Sequence, residues 1–238
     1  MYCNLKCLQS GPKLLRCESS HTPAILLMTT YVEGSSSEDD GGNSWIQWFC
    51  GLKGNEYYCE VDSDFVLDRF NLTGLGHDVP NAQQAYDLLA DDYKSDDDED
   101  IPPQVDTSAR LLYGLIHARF IICPNGLHKM KRKYISGEFG TCPRVLCNSQ
   151  LLLPVGLSDV PRNGTVKLYC CHCQDVYNPK SSAHSTIDGA FFGTTFPHLF
   201  FQTYAHLRPT PSSQTYTPRI FGFKIAGSET LAKMECKQ

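Results

Sequence analysis

The sequence predicts an α+β chain: an N-terminal all-helical domain, then a domain of short β-strands that carries clustered cysteines, then a loose C-terminal tail. Three observations lead there. Apolar side chains recur at helical spacing between residues 44 and 136. After Gly137, prolines, glycines and short β-rich runs replace that period. Five of the twelve cysteines (Cys142, Cys147, Cys170, Cys171 and Cys173) crowd into one stretch. With 41% apolar and 20% charged residues over 238 positions, the composition excludes wholesale disorder. No run of 18 or more apolar residues occurs, so no membrane span is expected. A formal charge of −5 provides no general attraction for a nucleic-acid backbone.

Taken in order, residues 1–43 read as a disordered extension, polar and glycine-rich where they end. Ser44 caps a first helix over the apolar segment Trp45-Ile-Gln-Trp-Phe49, whose spacing suits one buried face. Asp62 is expected to open a second helix reaching Phe70, with Phe65, Val66, Phe70 and Leu72 offered to the core. A third runs from Pro80 to about Ala90 through Ala85, Leu88 and Leu89. Residues 91–100 hold seven acids and one lysine, and such dense like charge is a solvated acidic loop rather than a helix. A fourth, strongly apolar helix is predicted over residues 107–122, broken by Pro124-Asn-Gly126. A short basic helix over 127–134 follows. Strands are expected at 165–169 and 220–225. The domain reading is therefore 1–43, 44–136, 137–210 and 211–238.

The cysteines carry the chemistry. Cys142-Pro-Arg-Val-Leu-Cys147 and Cys170-Cys-His-Cys173 form two short-spaced pairs separated by 22 residues. Each pair can close a tight knuckle that points two thiolates at one cation, and a hairpin between them brings the knuckles together. That is the pattern of a four-sulfur zinc ribbon, whose closed tetrahedron makes the metal structural. Cys171 and His172 could each coordinate in principle, but the i,i+3 spacing favours Cys170 with Cys173 and leaves Cys171 a free thiol. Residues 1–34 contain Lys6, Lys13 and Arg16 but only a five-residue apolar run, too short for a secretory core. Clustered cysteines in a reducing compartment point to metal rather than disulfides. Cytoplasm and nucleus are the expected locations, and organelle targeting by residues 1–34 is not favoured.

Longer motifs show a family resemblance. Trp45-Ile-Gln-Trp-Phe-Cys-Gly-Leu-Lys-Gly-Asn55, Leu112-Tyr-Gly-Leu-Ile-His-Ala-Arg119, Gly140-Thr-Cys-Pro-Arg-Val145, Leu153-Pro-Val-Gly-Leu-Ser-Asp159, Asp188-Gly-Ala-Phe-Phe-Gly193 and Pro218-Arg-Ile-Phe-Gly-Phe-Lys-Ile225 resemble the regulatory (beta) subunit of casein kinase II. The resemblance runs in one order over residues 35–225. It implies a non-catalytic subunit that dimerises through its zinc ribbon and docks two catalytic (alpha) subunits, giving an alpha2beta2 tetramer. It places one zinc ion per chain on Cys142, Cys147, Cys170 and Cys173, and kinase docking on a C-terminal hairpin that carries Arg219, Phe221 and Phe223. Autophosphorylation falls on Ser35, Ser36 and Ser37, whose acids three residues on (Glu38, Asp39, Asp40) suit an acid-directed kinase. Asp91, Asp92, Asp96, Asp97, Asp98, Glu99 and Asp100 become a regulatory loop for polyamines or basic proteins.

Phe221 and Phe223 are expected to alternate in a strand and project from one face. The sequence also departs from the family pattern. A 34-residue extension precedes Ser35, Phe221 stands where Tyr is common, and Cys171 replaces a proline inside the second knuckle.

Two rival functions are weighed. An enzyme is disfavoured because the glycine-rich, His-Arg-Asp, Asp-Phe-Gly, Gly-x-Ser-x-Gly and His-Glu-x-x-His motifs are missing. A zinc-ribbon nucleic-acid binder or other adaptor would use Lys129, Lys131, Arg132 and Lys133. The acidic balance and the lack of interleaved aromatics oppose it. That basic cluster is expected either to offer a counter-charge to the acidic loop of this or a neighbouring chain or to form a solvated helix face.

Overall fold

The computed structural model describes residues 44–93, 101–209 and 219–224. Among the described residues, six α-helices and two small antiparallel sheets make a mixed helix-and-sheet fold. Helix α1 (Trp45–Gly51) starts where Ser44 accepts a hydrogen bond from the Gln47 N–H through its hydroxyl. It buries Trp45, Ile46 and Phe49. Helix α2 (Ser63–Leu67) is shorter than the apolar pattern suggested. Asp68 turns to an extended conformation, its carboxylate accepts from the Phe70 N–H, and Phe70 is left 83% exposed instead of joining the core. Helix α3 (Ala82–Leu89) buries Ala85, Leu88 and Leu89 as expected.

Helix α4 (Pro103–Phe120) is the spine of the molecule, with Val105, Ala109, Leu112, Tyr113, Ile116 and Phe120 buried. It starts four residues before the predicted Thr107, because a proline at the first helical position lacks only an N–H that would be unsatisfied anyway. The same physics reverses the reading of Pro124. It opens helix α5 (Pro124–Ser136) rather than merely ending α4, and Gly126 lies inside the new helix. Gly126 is required there: a Cβ would sit 2.0 Å from the Phe120 carbonyl oxygen. Gly114 in α4 is required equally, since a Cβ would fall 2.4 Å from the Phe191 ring.

Beyond α5, strands β1 (Leu153–Val155), β2 (Lys167–Cys170) and β3 (Asp175–Tyr177) form an antiparallel sheet in that order. Leu153 faces Tyr169, Leu168 faces Tyr177, and Cys170 faces Asp175. Period-2 alternation turns Leu168 and Cys170 inward. Helix α6 (Phe196–Thr203) packs against β1. The sequence reading contained no helix there, although Phe196, Phe200 and Phe201 share a buried face. Its buried side chains join those of α1 to α5 and the sheet in one contiguous apolar core.

A histidine sits against that core. His117 is fully buried on α4. Its Nε2 accepts from the Cys59 N–H at 3.2 Å, so Nδ1 carries the proton and donates to the Phe191 carbonyl at 2.8 Å. Neutral imidazole thus joins three separate segments. Burial pushes its pKa down to about 4.

The last described segment is a hairpin, as the resemblance implies, and residues 220–225 are not one continuous strand. Strands β4 (Arg219–Ile220) and β5 (Phe223–Lys224) pair antiparallel, with Ile220 opposite Phe223. Phe221 and Gly222 have φ of 51° and 86°, the pair of positive values that a two-residue hairpin turn demands. Phe221 therefore stands at the tip, and the alternation that was to align it with Phe223 does not exist.

Candidate metal centre

The first knuckle is local. A 3-10 turn over Val145–Cys147 ends at Asn148, and both Asn148 and Ser149 are left-handed (φ 48° and 58°). The Cys147 N–H donates to the Arg144 carbonyl, and the Cys142 N–H donates to the Gln150 carbonyl. The second knuckle follows β2, closed by the Gln174 N–H donating to the Cys170 carbonyl, with Gln174 left-handed at φ 57°. Together these turns aim four thiols at a common point.

The four ligand atoms of Cys142, Cys147, Cys170 and Cys173 all lie within 4.8 Å of one another. Cys142 and Cys173 are 3.9 Å apart, Cys147 and Cys170 4.0 Å. Zinc–sulfur bonds of about 2.3 Å put tetrahedral sulfurs about 3.8 Å apart, close to these two separations, so the cluster is compatible with zinc. Burial, then hydrogen bonding with Cys142 and Cys173, pushes the Cys147 thiol up to about 11, and burial raises Cys170 too. Four thiolates packed this closely repel, and a divalent cation between them is what makes the charged form stable. Burial opposes ionisation of Cys173 as well, but hydrogen bonds led by Tyr177 outweigh it and its pKa falls.

Two supporting contacts were not foreseen. The Tyr177 hydroxyl is 3.1 Å from the Cys173 sulfur, and Arg144 reaches Asp175 at 3.4 Å, linking one knuckle to the other. Tyr177 follows Cys173 by four residues on a strand that pairs back over the site, a spacing that had meaning only once β3 was placed. Cys171 is buried outside the cluster, in keeping with its reading as a free thiol.

The other candidate residues are dispersed. Phe221 is 97% exposed and Phe223 79%, and the Arg219 guanidinium donates to the Gly222 carbonyl. Asp91 and Asp92 follow α3, and the Asp91 carboxylate accepts from the Trp45 N–H. Asp96, Asp97, Asp98, Glu99 and Asp100 lie outside the described residues, as do Ser35, Ser36 and Ser37. In the basic cluster, Lys129 pairs with Asp62 at 2.6 Å, Lys133 with Glu138, and Lys131 lies over the Tyr204 ring. Among the described residues, no helix is long and apolar enough to cross a membrane.

Fold and site define a mixed helix-and-sheet protein with a closed four-sulfur centre of the kind that holds structural zinc. The sequence pattern of the casein kinase II regulatory subunit matches residues 44–224. The chain is 56% identical over 191 residues to casein kinase II subunit beta of Schizosaccharomyces pombe, covering 80% of this chain and 83% of that one. It is 50% identical to subunit beta-2 of Neurospora crassa (86% of this chain, 72% of that one) and 50% identical to subunit beta' of Drosophila melanogaster (79% and 86%). This chain belongs to the casein kinase II regulatory subunit family.

Proposed function

We propose that this chain is a non-catalytic subunit that pairs with a second copy and holds two catalytic (alpha) subunits of casein kinase II, in an alpha2beta2 assembly. The carrying observation is the exposed aromatic hairpin, which lies within the family match. Two largely exposed phenyl rings are anchors for a partner surface, and Arg219 adds a charged neighbour. In this reading, residues 44–136 form a helical domain, 137–210 a zinc ribbon for pairing, and 211–238 the docking hairpin and tail. Pro143, Val145 and Val176 are exposed around the knuckles and Tyr177 is half-buried, which supports pairing there.

Zinc, when bound, ties the two knuckles together and presents no open position for water, so its contribution is structural. The subunit acts by mass action: binding only the folded kinase stabilises it. Ser35, Ser36 and Ser37 serve as phosphate acceptors, and the acidic run from Asp91 to Asp100 as an electrostatic site for polyamines or basic proteins. Work of this kind suits cytoplasm and nucleus. The nucleic-acid reading loses support from the pairing of Lys129 and Lys133 with carboxylates.

Co-expression with a catalytic subunit tests the proposal. The expected product contains equal numbers of the two chains, with one zinc per regulatory chain. A zinc-loaded chain that purifies without the kinase refutes it.

A further inference from the structure

The four sulfurs of the metal centre are not equivalent. Cys142, Cys147 and Cys170 are buried, whereas Cys173 is only half-buried. Its sulfur is also the one that the Tyr177 hydroxyl approaches, at 3.1 Å. A metal-bound thiolate carries no proton, so in the loaded centre the hydroxyl donates and the sulfur accepts. Such a bond stabilises charge on the sulfur and fixes its direction. Both effects help the sulfur hold a cation against competing protons or electrophiles. Register places the donor: Tyr177 pairs with Leu168 at the end of β3, and the strand brings its side chain back over the knuckle.

The donor itself is loosely held. Tyr177 is half-buried, and its ring stands in the wall of a cavity of about 400 Å³ together with Pro143, Leu168 and His184. Space on that side lets the ring turn away, which close packing all round would forbid. The neighbouring Arg144–Asp175 contact is no substitute, because it joins two half-exposed side chains and includes no sulfur. We propose that Cys173 is the first ligand to detach when the metal leaves, and that Tyr177 is the positioning residue that holds it on. The inference rests on the zinc reading of the centre and adds an order of release and the residue that sets its rate.

Tyr177→Phe keeps the ring in the cavity wall and removes the hydroxyl alone. The zinc-loaded full chain and this variant are titrated with a chromogenic chelator, then exposed to iodoacetamide while mass spectrometry follows each cysteine. The variant should hold zinc about 10- to 100-fold more weakly. Of the four ligands, Cys173 should be alkylated first in both proteins and faster in the variant, with Cys142, Cys147 and Cys170 lagging. A merely structural role would expose all four together. With cobalt in place of zinc, the variant's sulfur-to-metal charge-transfer band should move to longer wavelength, since the sulfur electrons lose the stabilising hydrogen bond. Arg144→Gln should change neither zinc affinity nor the Cys173 rate by more than about twofold. The proposal is overturned if another ligand is alkylated before Cys173 or all four react together. It is equally overturned if Tyr177→Phe matches the parent in affinity and rate, or if Arg144→Gln reproduces its effect. In each of these cases the zinc centre itself stands, whereas a parent chain that holds no zinc overturns both.

Discussion

Acidification tests the buried imidazole of His117, with the magnitude set by its environment. In the folded chain its pKa is about 4, against 6.5 for an exposed histidine. Between those values the unfolded chain takes up a proton that the folded chain refuses, so stability is full above about pH 6.5 and falls as the pH drops toward 4. A shift of this size amounts to ~3 kcal/mol in full, of which ~2 kcal/mol is lost between pH 7 and pH 5. The structural reason is specific. A protonated Nε2 becomes a donor facing the Cys59 N–H, so one of the two bonds holding α4 to its neighbours turns repulsive. Urea unfolding of zinc-loaded protein at pH 7 and pH 5 measures the loss. The comparison is His117→Gln, which keeps the metal centre and removes the titration. This variant should start ~1–3 kcal/mol less stable, with the Phe191 carbonyl short of its donor, and should show a smaller further loss on acidification. If both proteins lose the same stability between the two pH values, or if the His117 resonances titrate near 6.5, the argument fails.

Replacing Cys170 with Ser should abolish stoichiometric zinc and lower the melting temperature sharply, because structural zinc sites in finger peptides supply ~10–16 kcal/mol; metal analysis and calorimetry on one sample check both. Gly126→Ala forces a Cβ onto the Phe120 carbonyl, so a loss of ~3 kcal/mol or more is expected in denaturant titration, and a neutral result would mean that the α4–α5 junction is looser than described. Phe223→Ala should weaken capture of the catalytic subunit at least tenfold, with zinc content and pairing unchanged, as read by pull-down and light scattering. Incubation with the catalytic subunit and ATP should place phosphate on Ser35, Ser36 or Ser37, and mass spectrometry showing that cluster unmodified removes it from the proposal.

What could be read from the order of residues was whatever short spacing dictates. Cys142 to Cys147 and Cys170 to Cys173 each close a turn within a few residues, so a four-sulfur site was visible before any fold was known. Ser44 as a cap and the buried faces of α1 and α3 followed from local periodicity in the same way. Errors of boundary came from prolines: Pro103 and Pro124 look like breaks, yet each occupies the first turn of a helix, where its missing N–H costs nothing. Helix α6 was passed over because eight residues among glycines and prolines give too short a period to register.

Tertiary structure alone decided which distant groups meet. His117 acquires its depressed pKa from burial that also sets it against Phe191, 74 residues away. Tyr177 reaches Cys173 because β3 folds back on β2, and Phe221 points outward because the turn at Gly222 needs two left-handed residues. Local bonding patterns are written in neighbouring residues. Desolvation and long-range contact arise only when the whole core closes, and no short window of sequence holds them.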